Sequence, residues 1–124
     1  MKFSAYSGKA LDQRTSCLVV GVFEPRELGG EARAVDRAVG GRLRALLRSG
    51  DFAGRAGESL LLPGLPGLRG SRLLLVGLGT AAQYQRRGWK RALSTAVAAL
   101  ARTRIVSANF ALERPNDRAL DDYT

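Results

Sequence analysis

Ser59–Gly79 reads SLLLPGLPGLRGSRLLLVGLG, and this stretch decides the fold. Two apolar runs, Leu60-Leu61-Leu62 and Leu73-Leu74-Leu75-Val76, flank a loop rich in Gly and Pro. Each run is too short for a free-standing helix and is bounded by breakers, so both are read as strands. Neither alternates with polar residues, which predicts strands covered on both faces, as in the sheet of an α/β domain. Gly77-Leu78-Gly79 is expected to end the second strand abruptly and pass the chain to a helix.

Upstream, Lys2–Ser7 alternates and predicts a short strand near a sheet edge, followed by a polar turn to Arg14. Thr15–Phe23, TSCLVVGVF, is β-branched and apolar, a central strand in which Gly21 marks a bulge or a close approach by another backbone. Glu24-Pro25 stops it. Leu28–Ser49 is predicted as one long helix, with Leu28, Ala32, Val35, Val39, Leu43, Leu46 and Leu47 in an apolar stripe. Gly40-Gly41 predicts a kink or close packing within it, and Gly50 its end. Asp51–Glu58 is a loop.

Downstream, Thr80-Ala81-Ala82-Gln83 has capping-box spacing and opens a second helix to about Arg102. Trp89, Leu93, Ala96, Val97 and Leu100 form its predicted buried face, with Gly88 weakening its middle. Ile105–Leu112 is a fifth strand. Glu113–Thr124 is a polar tail with a turn at Pro115-Asn116-Asp117. The order β-β-α-β-β-α-β predicts a three-layer α/β/α sandwich with a mixed sheet in one domain spanning 1–124.

Twenty Lys and Arg against 11 Asp and Glu give a net charge of +9, which favours polyanionic partners. Cys17 is the only cysteine and there is no histidine. An internal disulfide is therefore excluded, as are Ser-His-Asp and Cys-His triads; the Cys/His metal signatures are missing as well. Cys17 sits in an apolar run and is expected to pack as a small hydrophobe. No stretch reaches the roughly 18 apolar residues of a membrane span, and the first residues lack the apolar core of a signal peptide. The cytoplasm is the expected compartment, with no membrane partner.

Four features could carry chemistry. Gly77-Leu78-Gly79-Thr80-Ala81-Ala82 matches the G-x-G-x-x-A form of the dinucleotide fingerprint. The candidate ribose acid, Glu113, lies 36 residues past Gly77, later than the usual roughly 20. A steric reading of the turn is preferred, with no cofactor site. Arg33, Arg37, Arg44 and Arg48 fall within about 60° on one helix face at 100° per residue, away from the apolar stripe. That face is expected to be exposed and could follow a phosphate backbone. Arg86, Arg87, Lys90 and Arg91 form a second basic cluster in early helical turns, where the dipole disfavours cations. A solvated helix face is the alternative for both clusters. Asp121-Asp122 is an acidic pair in the tail, read as solvated. No catalytic or metal-binding constellation emerges.

Four stretches in register carry a resemblance: Cys17–Glu24 (CLVVGVFE), Ala45–Gly54 (ALLRSGDFAG), Gly57–Pro63 (GESLLLP) and Arg72–Gly79 (RLLLVGLG). Together with the helix Trp89–Leu100, they resemble the amino-terminal domain of the bacterial leucyl aminopeptidases, the cytosol aminopeptidase family. The resemblance implies a macro-domain-like mixed sheet in a hexameric, two-metal exopeptidase. Its zinc or manganese ions and its catalytic lysine and arginine would belong to a carboxy-terminal domain whose motifs do not occur here. The segment alone is therefore expected to be inactive and to stop before the closing helix and strand of the family's amino-terminal domain. Some bacterial members also bind duplex DNA, in keeping with the charge. The alternative is a stand-alone basic module that binds nucleic acid or a nucleotide.

Overall fold

The computed structural model describes residues 2–5, 17–63, 72–105 and 107–112, with backbone alone at 2–5 and 86. The expected turn at 7–14, the strand start at Thr15, the loop at 64–71 and the tail from Glu113, including Asp121 and Asp122, lie outside these residues. The strands are β1 (Lys2–Ala5), β2 (Cys17–Phe23), β3 (Glu27–Leu28), β4 (Ser59–Leu62), β5 (Arg72–Gly79) and β6 (Ser107–Ala111). The helices are α1 (Gly30–Ala38), α2 (Arg42–Ser49), α3 (Ala81–Gln83) and α4 (Trp89–Ala101), the last two joined by a π-helical turn at Tyr84–Gly88.

The sheet order is β1-β6-β2-β5-β4, with β3 hydrogen-bonded to β2. β1, β6, β2 and β5 run parallel, while β4 is antiparallel to β5 and β3 to β2. The predicted mixed sheet and three layers are present. Successive β-residues point to opposite faces, so β2 and β5 each feed two cores. Leu18, Val20, Val22, Leu73 and Leu75 pack with Val35, Val39, Leu43 and Leu47 of the α1–α2 side. Cys17, Val19, Leu74, Val76 and Leu78 pack with Tyr84, Ala92, Ala96 and Leu100 on the other face. Burying one such Leu or Val side chain contributes about 1.5–3 kcal/mol, so the two unbroken apolar strands anchor the domain.

Burial pushes the Cys17 thiol up to about 11, although a backbone hydrogen bond to Leu74 and nearby Arg72 pull it down. It packs as an inert core group.

Several expectations need correction. Leu60–Leu62 forms the outermost strand in the order and is only half-buried; Leu60 and Leu62 lean on one core and Leu61 on the other. β5 does end at Gly79 and pass the chain to a helix as expected, with Gly77 and Gly79 still paired with Val22 and Phe23. At Gly21 it is a side chain and not another backbone that comes close: a Cβ there would lie 2.8 Å from Leu78 Cγ. Val97, expected to be buried, is 41% exposed.

The largest departure is the first helix. Residues 28–49 form a short strand and two helices rather than one long helix. Gly40 and Gly41 take φ of +72° and +81°, a left-handed backbone that ends the first helix and that other residues rarely adopt. The Gly41 N–H bonds to the Asp36 carbonyl (2.9 Å) and the Gly40 N–H to the Arg37 carbonyl (3.3 Å). This is a Schellman termination. Leu28 belongs to β3, opposite Val22.

Candidate anion-binding groove

The break between α1 and α2 is held by one acid. Asp36 is 1% exposed, and its Oδ1 accepts from the backbone N–H of Leu43 (2.8 Å) and Arg44 (3.4 Å). α2 begins after Gly41, which has no side chain with which to cap it. Asp36 thus supplies from the preceding helix the oxygen that an N-cap residue would provide. Its Oδ2 accepts from Arg44 Nε at 2.8 Å. Arg33 Nε donates to the Leu28 carbonyl at 3.1 Å. Two guanidiniums are therefore held in place before any ligand arrives.

Arg33, Arg37, Arg44 and Arg48 all line one groove of about 690 Å³ between α1, α2 and the β2–β3 turn. The structure brings together the whole first cluster, although the helix on which it was counted is broken. Arg26, missed in the sequence, joins them from the turn. Its φ of +56° is unusual for a residue with a side chain, and its N–H bonds to the Ala53 carbonyl at 2.9 Å. Glu27 and Asp36 are the acids on the wall, and Leu28 and Leu47 add apolar surface. Five arginines against two acids leave a strongly positive concavity.

The face is exposed as expected, but one of its arginines is engaged. Arg44 has a 67% exposed side chain but pairs with a nearly buried carboxylate. A glutamate there would confront Asp36, so Arg44 is not a neutral site for charge reversal. The Arg37 and Arg48 side chains are exposed and make no hydrogen bond or ion pair among the described residues.

The second cluster does not converge in the same way. Arg87 and Arg91 line a separate, mostly apolar cavity of about 380 Å³ with Ala56, Leu78, Gln83 and Gly88. Lys90 lies over the Trp89 ring, 5.9 Å from its centroid. The Arg86 side chain is outside the described residues. α4 packs on the face of the sheet opposite α1 and α2, so the two clusters are independent surfaces.

The glycine turn is committed to packing. The Gly77 N–H donates to the Glu58 carbonyl (2.8 Å) and the Gly79 N–H to the Gly54 carbonyl (2.9 Å). Thr80 and Gln83 form the expected capping box, with Thr80 N–H to Gln83 Oε1 at 3.1 Å and Gln83 N–H to Thr80 Oγ1 at 3.2 Å. The chain leaves β2 and β5 toward opposite faces, and doubly wound folds place ligands at such a switch point. Here Ala53–Glu58 crosses that edge, with Gly54 against the Phe23 carbonyl. Four N–H groups that a pyrophosphate could use are already engaged. Among the described residues no three His, Cys, Asp or Glu side chains are grouped to hold a metal ion. Nor is any helix among them long and apolar enough to cross a membrane.

Residues 19–123 match the family model for the N-terminal domain of the cytosol aminopeptidase family. The chain belongs to that family. A probable cytosol aminopeptidase of Halorhodospira halophila is 47% identical over 100 residues, 81% of this chain and 20% of the relative. One from Stutzerimonas stutzeri is 37% identical over 123 residues, 99% of this chain and 25% of the relative. The chain thus spans a fifth to a quarter of the length of these relatives. Among solved structures, a mutant tomato leucine aminopeptidase superposes with a TM-score of 0.65 at 21% identity, over 94% of this chain and 24% of the other. A Trypanosoma brucei macrodomain in complex with ADP gives 0.51 at 17% identity, over 98% of this chain and 67% of the other. At these identities the two structures establish the fold alone, a macro-domain-like α/β arrangement.

Proposed function

We propose that this chain is the non-catalytic, polyanion-binding N-terminal domain of a cytoplasmic leucyl aminopeptidase. In this reading a carboxy-terminal domain performs the two-metal hydrolysis, holds the zinc or manganese and assembles as a hexamer. The N-terminal segment contributes a basic surface for duplex DNA and a regulatory or assembly role. The convergence of Arg26, Arg33, Arg37, Arg44 and Arg48 on one groove supports this most strongly. The absence of histidine from the whole sequence fits a domain without its own acid–base chemistry.

Two readouts on the purified 124-residue chain test the proposal. Leucine release from a leucyl substrate with manganese or zinc added is expected to stay at background. Duplex DNA should bind with a dissociation constant of about 10⁻⁴ to 10⁻⁶ M at physiological salt, weakening steeply as salt rises. Metal-dependent leucine release would overturn the non-catalytic reading. Salt-insensitive or undetectable DNA binding would overturn the duplex DNA reading.

A further inference from the structure

We propose that the arginine groove binds a compact polyphosphate, a short chain of linked phosphoryl groups, and that such a ligand excludes duplex DNA from the same surface. The inference rests on the groove being an anion site, and it adds the class of small ligand and a regulatory consequence.

The shape of the groove carries the argument. Its volume of about 690 Å³ falls within the range of about 300–1,000 Å³ occupied by small-molecule sites. Its arginines come from three separate elements: Arg26 from the β2–β3 turn, Arg33 and Arg37 from α1, and Arg44 and Arg48 from α2. They surround a common volume instead of running along a ridge. A duplex is convex toward the protein at its phosphates and can reach only the rim of such a hollow. A compact anion can enter it and meet several guanidiniums together, each able to fork two N–H groups onto phosphate oxygens.

Pre-organisation and charge agree with this. Arg33 is fixed by the Leu28 carbonyl and Arg44 by Asp36, so part of the ordering cost is met before binding. The five arginines exceed Glu27 and Asp36 by three charges, and Asp36 is turned inward onto α2. That excess is too large for a single phosphate monoester to balance and suits adjacent phosphoryl groups.

The test uses inorganic triphosphate and orthophosphate as probes, each titrated calorimetrically into the chain at fixed ionic strength. Triphosphate is expected to bind at least about tenfold more tightly than orthophosphate. Arg37→Ala with Arg48→Ala should weaken triphosphate at least tenfold, while Arg87→Ala with Lys90→Ala should leave it within twofold. Triphosphate should also displace a labelled duplex at the concentration that saturates the calorimetric site. Equal affinities for the two anions, or indifference to the Arg37 and Arg48 changes, would overturn the proposal. DNA binding is measured separately. A duplex that binds without any triphosphate site removes this inference and leaves the DNA reading intact. A triphosphate site without duplex binding removes the DNA reading and the proposed exclusion, while the ligand class stands.

Discussion

Gly77→Ala is expected to cost about 3–5 kcal/mol, a large part of the roughly 5–15 kcal/mol that holds a small domain together. A Cβ at Gly77 would fall on the Arg55 carbonyl oxygen, 2.7 Å from its carbon and 2.9 Å from the Gly54 carbonyl carbon. These are backbone atoms, so no rotamer change relieves the overlap. Either β5 bends away, or the Ala53–Glu58 loop lifts and loses the Gly77–Glu58 and Gly79–Gly54 hydrogen bonds. Gly41→Ala provides the control. Its φ is +81°, yet nothing lies within 4 Å of the added methyl, so the loss should be about 1 kcal/mol, from the left-handed conformation alone. Urea unfolding of the three proteins separates the terms. Equal losses at both sites would mean that the loop is not seated on β5.

Asp36→Ala is expected to destabilise by about 2–4 kcal/mol. The substitution removes the acceptor for the Leu43 and Arg44 N–H groups, opens a small void in a 1% exposed position, and releases Arg44. The lost Arg44 pairing is a minor part, because that guanidinium faces water and exposed pairs contribute little. Asp36→Asn keeps one carbonyl oxygen for the helix N–H groups and should lose only about 1–2 kcal/mol. The difference between these two variants in thermal or urea unfolding measures the cap. If Asp36→Ala costs no more than Asp36→Asn, the carboxylate does not hold the α1–α2 junction.

The strands were legible in the sequence because they are unbroken apolar runs: CLVVGVF and RLLLVGLG fill both cores with little polar interruption. The capping box at Thr80 was equally legible, since it depends on local spacing. The α1–α2 break was half-read. The apolar stripe continues through Val39 and Leu43 with helical spacing, which hides the fact that both glycines turn left-handed. Asp36 was invisible for a physical reason. An acid among arginines reads as surface charge, and only the fold returns α2 to place Leu43 N–H against it. Arg26 was missed because its role comes from a two-residue strand, Glu27–Leu28, too short to leave a pattern. The π-helical turn gave one signal, Gly88, where a Cβ would lie 3.0 Å from the Gln83 carbonyl oxygen.

Polyanion binding at the groove between α1, α2 and the β2–β3 turn is tested most directly by the salt dependence of duplex DNA affinity for the native chain, the Arg37→Glu/Arg48→Glu variant and the Arg87→Glu/Lys90→Glu variant. The Arg37 and Arg48 side chains are exposed and make no hydrogen bond or ion pair among the described residues. Their reversal should leave unfolding within about 1 kcal/mol per site of the native chain, the size of the lost helix-dipole contribution. Each lost phosphate contact lowers the log–log salt slope by about 0.9, which amounts to roughly tenfold in affinity at 0.1 M salt. The account predicts that the groove reversal weakens binding about a hundredfold and flattens the slope by about 1.8, with the α4 reversal changing either quantity much less. Loss of binding in the α4 variant alone, or an unchanged slope in the groove variant, would contradict it.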